Sequence, residues 1–143
     1  MKALFSLGAV ALVAFAGHAF AQEDLVQKRQ AAMKDNGAQA KVAAQMVQGA
    51  TPFDAAAAKA AMEKLAANAA EIPADFAPGS EGGDALPAIW ENFADFEAKA
   101  MDLKTAAEAA AVAADQGAEA FGQAFGAVGA SCGACHKLYR KPS

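Results

Sequence analysis

Near its C-terminus the chain reads "GASCGACHKLYRKPS", which places Cys132, Cys135 and His136 at the spacing C-x-x-C-H. That is the attachment pattern of a c-type haem, in which each thiol adds to one vinyl group and the adjacent imidazole binds the iron. On a helix the three positions fall within about one turn, so two thioether anchors and one imidazole reach the same edge of a flat ring. Two other chemistries use such a pair. A dithiol oxidoreductase places it at the start of a helix that follows a strand, and a zinc site needs a fourth ligand at suitable spacing. The first fits less well because the pair sits late in the last helical segment and no strand is read before it; the second because no further Cys or His follows the leader segment, residues 1–21.

The first 21 residues read as an export signal. Met1 and Lys2 make a short positive start, "ALFSLGAVALVAFA" is an uncharged apolar run, and Ala19-Phe20-Ala21 is a small-x-small cleavage site. The run is shorter than the ~20 residues that cross a bilayer. The expected organisation is therefore a cleaved signal peptide over 1–21 and one domain over 22–143, exported to the periplasm and free of the membrane after cleavage. Removing His18 with the leader leaves His136 as the one histidine, and Cys132 and Cys135 as the one pair of thiols. The formal net charge of −4 becomes −5 when Lys2 is lost, which argues against nucleic acid as a partner.

Apolar spacing of three and four residues predicts four helices and no strand. The first runs from about Asp24 to Gln48, with Val26, Met33, Ala40 and Val47 on its stripe. "TPFD" starts the second, with Thr51 as cap and Pro52 and Asp54 in the first turn; Ala58, Ala61, Leu65 and Ala69 face inward to about Ala70. "EIPADFAPGSEGGDALP" breaks the pattern with three prolines and three glycines and forms a long crossover. The third helix, about Ala88 to Ala114, carries Ile89, Phe93, Phe96, Ala100 and Leu103. The fourth, about Ala118 to Lys141, aligns Phe121, Phe125, Val128, Cys132, Cys135 and Tyr139. The expected fold is all-α, an antiparallel four-helix bundle with a covalently bound haem. Alanine fills 37 of the 122 positions from Gln22 to Ser143. It favours helix but buries little surface, so a haem would supply bulk that the core lacks.

Over essentially the whole exported chain the sequence resembles the cytochrome c′ family, the class II c-type cytochromes of bacterial periplasms. The likeness rests on the C-terminal haem motif, the tail "CHKLYRK", the crossover "FAPGSEGGDALPAIW", the helix start "PFDAAAAKA" and the N-terminal "KRQAAMK". It implies one haem c with its iron per chain, an electron-transfer or NO- and CO-binding role rather than an enzyme, periplasmic redox partner proteins, and a homodimer. By the same resemblance Cys132 and Cys135 are the thioether anchors and His136 the proximal iron ligand. Arg29 matches an arginine that pairs with a haem propionate, Arg140 one near the proximal side, and Phe76 an aromatic at the haem edge. For Arg29 and Arg140 the residues alone equally suggest a solvated helix face and a cation at a helix C-terminus.

Met33 matches the family position that meets the open side of the haem. Five-coordinate members block the iron there with an apolar side chain; low-spin relatives bind it with a methionine, and "MKDNG" resembles those. Met33 is thus the candidate sixth ligand, and ordinary core packing is its alternative. Met46, Met62 and Met101 are expected in the core. The scattered carboxylates show no pair in an apolar setting suited to acid–base catalysis.

Overall fold

A computed structural model describes the backbone of residues 14–142 and the side chains of residues 24–142, so the side chains of the leader segment 1–21 lie outside the described residues. The long helices are α1 (Ala14–Val47), α2 (Ala55–Glu71), α4 (Phe93–Ala114) and α5 (Ala118–Tyr139). A 3-10 turn (Pro73–Phe76) and the single-turn helix α3 (Ala88–Glu91) sit in the crossover. Among the described residues there is no strand, and one isolated bridge joins Ala85 to Arg140. No helix there is long and apolar enough to cross a membrane.

Ion pairs and caps show how the rods are aligned. Lys59 at the start of α2 reaches Asp115 just past α4, 2.6 Å away, so these two helices run antiparallel. The α4–α5 turn closes on Gly117, whose φ of +108° is costly for any residue with a Cβ. α2 packs on α4, α4 on α5 and α1 on α2, whereas α1 and α5 meet only sparsely. The fourth edge of the bundle is thereby loose.

The core is built from small residues around a few large ones. Ala58, Ala61, Ala69, Ala107, Ala110 and Ala114 lie within it, while the large side chains wholly enclosed are Phe121, Met62, Leu65, Ile89 and Val128. Aromatic rings concentrate at the crossover end: Phe96 meets Phe76 edge-on at 4.7 Å and Tyr139 edge-on at 5.3 Å. The second helix buries the stripe expected of it.

Three local expectations are corrected. Asp54, not Thr51, caps α2: its Oδ1 accepts from the Ala57 N–H at 3.0 Å, placing an acceptor directly before the alanine run. The third helix is interrupted at Asn92, whose φ of −129° and ψ of 47° are non-helical and whose side chain donates back to the Ala88 carbonyl at 3.5 Å. The inward face of α1 is rotated: Arg29, Asn36 and Ala43 are buried, Met33 and Ala40 half-buried, and Val47 lies on the outside. A polar pair displaced the expected valines because each finds a partner in the bundle or crossover.

Tyr139 pins the end of α5 to α4, its hydroxyl donating to Asp95 Oδ2 at 2.5 Å. That bond, burial and the Asp95 charge push the Tyr139 pKa up to about 12; the same bond draws the Asp95 carboxyl below its ordinary value. The chain's one tyrosine therefore ionises near 10 when unfolded but near 12 when folded. Its contribution is complete below pH 10 and is lost as pH rises towards 12. Urea midpoints followed across that interval should fall more steeply for the wild type than for Tyr139→Phe, which should cost about 1 kcal/mol at neutral pH.

Candidate haem site

Cys132, Cys135 and His136 occupy the C-terminal half of α5. At 100° per residue their side chains leave the helix within an arc of about 100°. All three are half-buried, and both cysteines pack against the core cluster. They are the only thiols and the only imidazole among the residues whose side chains are described. Burial pushes both thiols above their ordinary pKa, with smaller contributions from neighbouring charges on Cys135. Burial, then the charge of Arg140, lowers that of His136. The cysteines are not disulfide-bonded. A reactive dithiol needs a lowered thiol pKa, so the electrostatics run against that alternative. No group of three or more His, Cys, Asp or Glu side chains arranged to hold a metal ion by themselves occurs among the described residues.

The opposite wall is α1, and its register against α5 follows from one contact. A Cβ at Gly122 would meet Val47 Cγ1 at 3.7 Å. At the other end of both helices, the crossover touches α1 through Gly83 beside Val26 and touches the α5 tail through Leu86 N–H to the Tyr139 carbonyl at 3.0 Å. The helices are therefore antiparallel. Fourteen residues back from Val47 is Met33; fourteen forward from Gly122 is His136. Equal rise along two parallel axes would bring Met33 and His136 to a similar height in the bundle. Further along the Gly122 stripe, a Cβ at Gly126, Gly129 or Gly133 would meet nothing within 4 Å. These three glycines are exposed, so no side chain blocks that side of α5; together with the paired thiols and the adjacent imidazole on one arc, the residues fit a covalently held haem.

Arg29 and Phe76 come together with each other. Arg29 is 5% exposed; its Nη1 donates to the Ser80 carbonyl at 2.6 Å and its Nη2 to the Gly82 carbonyl at 2.7 Å. Its Cζ lies 4.7 Å from the centre of the Phe76 ring. Desolvation lowers the guanidinium pKa against the opposing charges of Asp75 and Glu81. Next to it, Lys28 Nζ reaches the buried Asp75 carboxylate at 2.6 Å. The Gly83 φ of +59° permits the close approach, since a Cβ there would crowd Val26 Cγ1 at 3.2 Å. What the structure assigns to Arg29 is the clamping of the crossover to α1. Replacing it by leucine strips two charge-assisted bonds and orphans the Ser80 carbonyl. The urea midpoint of Arg29→Leu should correspond to a loss of about 2–4 kcal/mol, and amides of residues 77–86 should lose hydrogen-exchange protection first.

Arg140 is exposed just past α5, with an extended backbone at φ −115° and ψ 140°. Two features escaped the sequence reading: the Tyr139–Asp95 bond and the burial of Asn36. The spacing Arg29–Met33–Asn36 was the available signal for the second, because steps of four and three residues keep a single face.

The profile of the family described as Cytochrome C' matches residues 24–140, nearly all of the described side chains. The chain belongs to the cytochrome c′ family. It is 46% identical over 118 residues to the protein named cytochrome c-556 of Agrobacterium fabrum, covering 80% of each chain. It is 42% identical over 120 residues to cytochrome c′ of Alcaligenes xylosoxydans, covering 83% of this chain and 94% of that one. Among solved structures, a nitric oxide complex of a variant cytochrome c prime from Alcaligenes xylosoxidans superposes with a TM-score of 0.80 at 40% identity, covering 85% of this chain and 97% of that one. As a cytochrome c′-type protein the chain carries one haem c with its iron, and the four-helix bundle is the fold shared with those structures.

Proposed function

We propose that the protein is a periplasmic electron carrier whose haem is anchored by Cys132 and Cys135 and whose iron is bound by His136 and Met33. The observation that supports this reading is the antiparallel register of α1 against α5, by which an equal count of residues from Val47 and Gly122 leads to Met33 and His136. When bound, the haem supplies a one-electron ferric/ferrous couple, and a thioether ligand raises its potential.

The chain's own part is to hold and to exclude. Burial favours the uncharged imidazole of His136, the form that can ligate. The Tyr139–Asp95 bond fixes the turn of α5 that follows it. Met33, with three rotatable bonds, is the residue that would hold the iron on the side away from His136 and so keep small ligands away. Arg29 donates to two crossover carbonyls and would offer a further N–H to a propionate, and Phe76 lies under its guanidinium. The partners are redox proteins of the same compartment. Export with cleavage after Ala21 predicts a mature N-terminus at Gln22, readable as an intact mass.

A second reading, an open site that binds NO or CO, is favoured by the nitric oxide complex of the related cytochrome c prime and by the packing of Met33 against the core cluster. Adding CO to the reduced protein separates the two. Slow or absent binding, with low-spin spectra in both oxidation states, supports the carrier; rapid stoichiometric binding overturns it.

A further inference from the structure

The inward stripe of α1 holds one polar atom that the protein does not satisfy. Asn36 is 8% exposed, and its Nδ2 is buried without a hydrogen-bond partner among the described residues. An unmade amide bond in such a place costs about 1–3 kcal/mol, so its orientation must be imposed. Asp35 imposes it. A carboxylate only accepts, and Asn68 turns its Nδ2 to Asp35 Oδ2 at 2.7 Å. That same nitrogen lies 2.8 Å from the Asn36 side-chain oxygen, which fixes which corner of the Asn36 amide faces α2. The nitrogen is left directed away from Asn68, inside the bundle. Gln39, donating to Asp35 Oδ1 at 3.0 Å, steadies the carboxylate.

The helix indicates where that nitrogen can donate. Asn36 stands three residues after Met33 on the same face, and helical side chains lean over the turn on their N-terminal side, which tips Asn36 towards Met33. A thioether sulfur has two lone pairs. One suffices for the iron, and the other accepts weakly.

We infer that Asn36 is a positioning residue for the Met33 ligand: its Nδ2–H, oriented by Asn68 and Asp35 and without a partner in the haem-free chain, Met33 Sδ included, donates to Met33 Sδ when the haem is bound. The bond holds the sulfur in place and withdraws electron density from it, which stabilises ferrous over ferric iron. The inference rests on Met33 as the sixth ligand.

The test measures the midpoint potential of the holoprotein, together with the sulfur-to-iron charge-transfer band of its oxidised form. Asn36→Leu keeps the volume and removes the donor. At a fixed applied potential its oxidised-to-reduced ratio should rise about tenfold, a fall of about 59 mV for a one-electron couple. A purely structural or bulk-polarity role gives no change or the opposite sign, because a less polar surrounding disfavours the more highly charged ferric state. Asn36→Ser retains a donor and should stay nearer the wild type than Asn36→Leu. Asn68→Leu leaves Asn36 in place but frees its amide, and should shift the ratio in the same direction by a smaller factor; it decides the matter if Asn36→Leu does not fold. An unchanged or raised potential in a CO-inert protein overturns this inference alone. Rapid CO binding to the wild type, with Met33→Ala spectrally silent, overturns the Met33 reading and this inference with it.

Discussion

With Met33 as sixth ligand, Met33→Ala should turn slow or absent CO binding into rapid stoichiometric binding. The expectation follows from competition for a single position: a ligand can enter only when the thioether has left. If that open state is populated about 1% of the time, apparent affinity is weakened about a hundredfold, and deleting the thioether restores it. The variant should also lose its low-spin spectrum. Stability should move far less than ligand affinity, because Met33 is only half-buried and its neighbours on the stripe, Arg29 and Asn36, remain anchored to the crossover and to α2. Equal CO binding by variant and wild type, with unchanged spectra, would show that Met33 merely packs.

Replacing Cys132 and Cys135 together by alanine should abolish covalently retained haem and leave a loosely packed bundle. The interior explains the size of the effect. Its enclosed positions are dominated by alanine, and the α1–α5 edge is sparsely packed. A natural domain holds only about 5–15 kcal/mol in reserve, so losing the apolar burial of a porphyrin removes a large part of it. The doubly substituted protein should keep much of its far-ultraviolet helical signal, lose near-ultraviolet structure, bind ANS and melt without a cooperative transition. A cooperative melt within a few degrees of the holoprotein would show that helix packing suffices without the ring. The wild type, matured in a host competent for cytochrome assembly, should show Soret absorption and iron.

Much of the site was legible because it is local. Cys132, Cys135 and His136 share one helical turn, so their joint presentation needs only the helix that their surroundings favour. The stripe of α2 was legible for the same reason: Ala58, Ala61, Leu65 and Ala69 bury together because they stand on one face. The α1 stripe was not. Val26, Met33, Ala40 and Val47 satisfy helical spacing as well as Arg29, Met33, Asn36 and Ala43 do, and hydrophobicity favours the former. Burial of Arg29 is compensated by carbonyls of Ser80 and Gly82, more than fifty positions away. The cap of α2 shows a smaller version of this ambiguity, since Thr51 and Asp54 are both suitable residues and only the backbone path shows which one meets the Ala57 N–H.

The amino-acid order alone determined the helices, the two thiols beside one imidazole, and the kinship with cytochrome c′, because each depends on neighbours within a few residues or on direct likeness. The tertiary structure decided which face of α1 turns inward, that Arg29 holds the crossover, that α1 runs antiparallel to α5, and that Asn36 presents an unspent N–H to the interior. Those facts depend on the rotation and sliding of one helix against another. Such freedoms are set by the sum of distant contacts, and no local spacing encodes them.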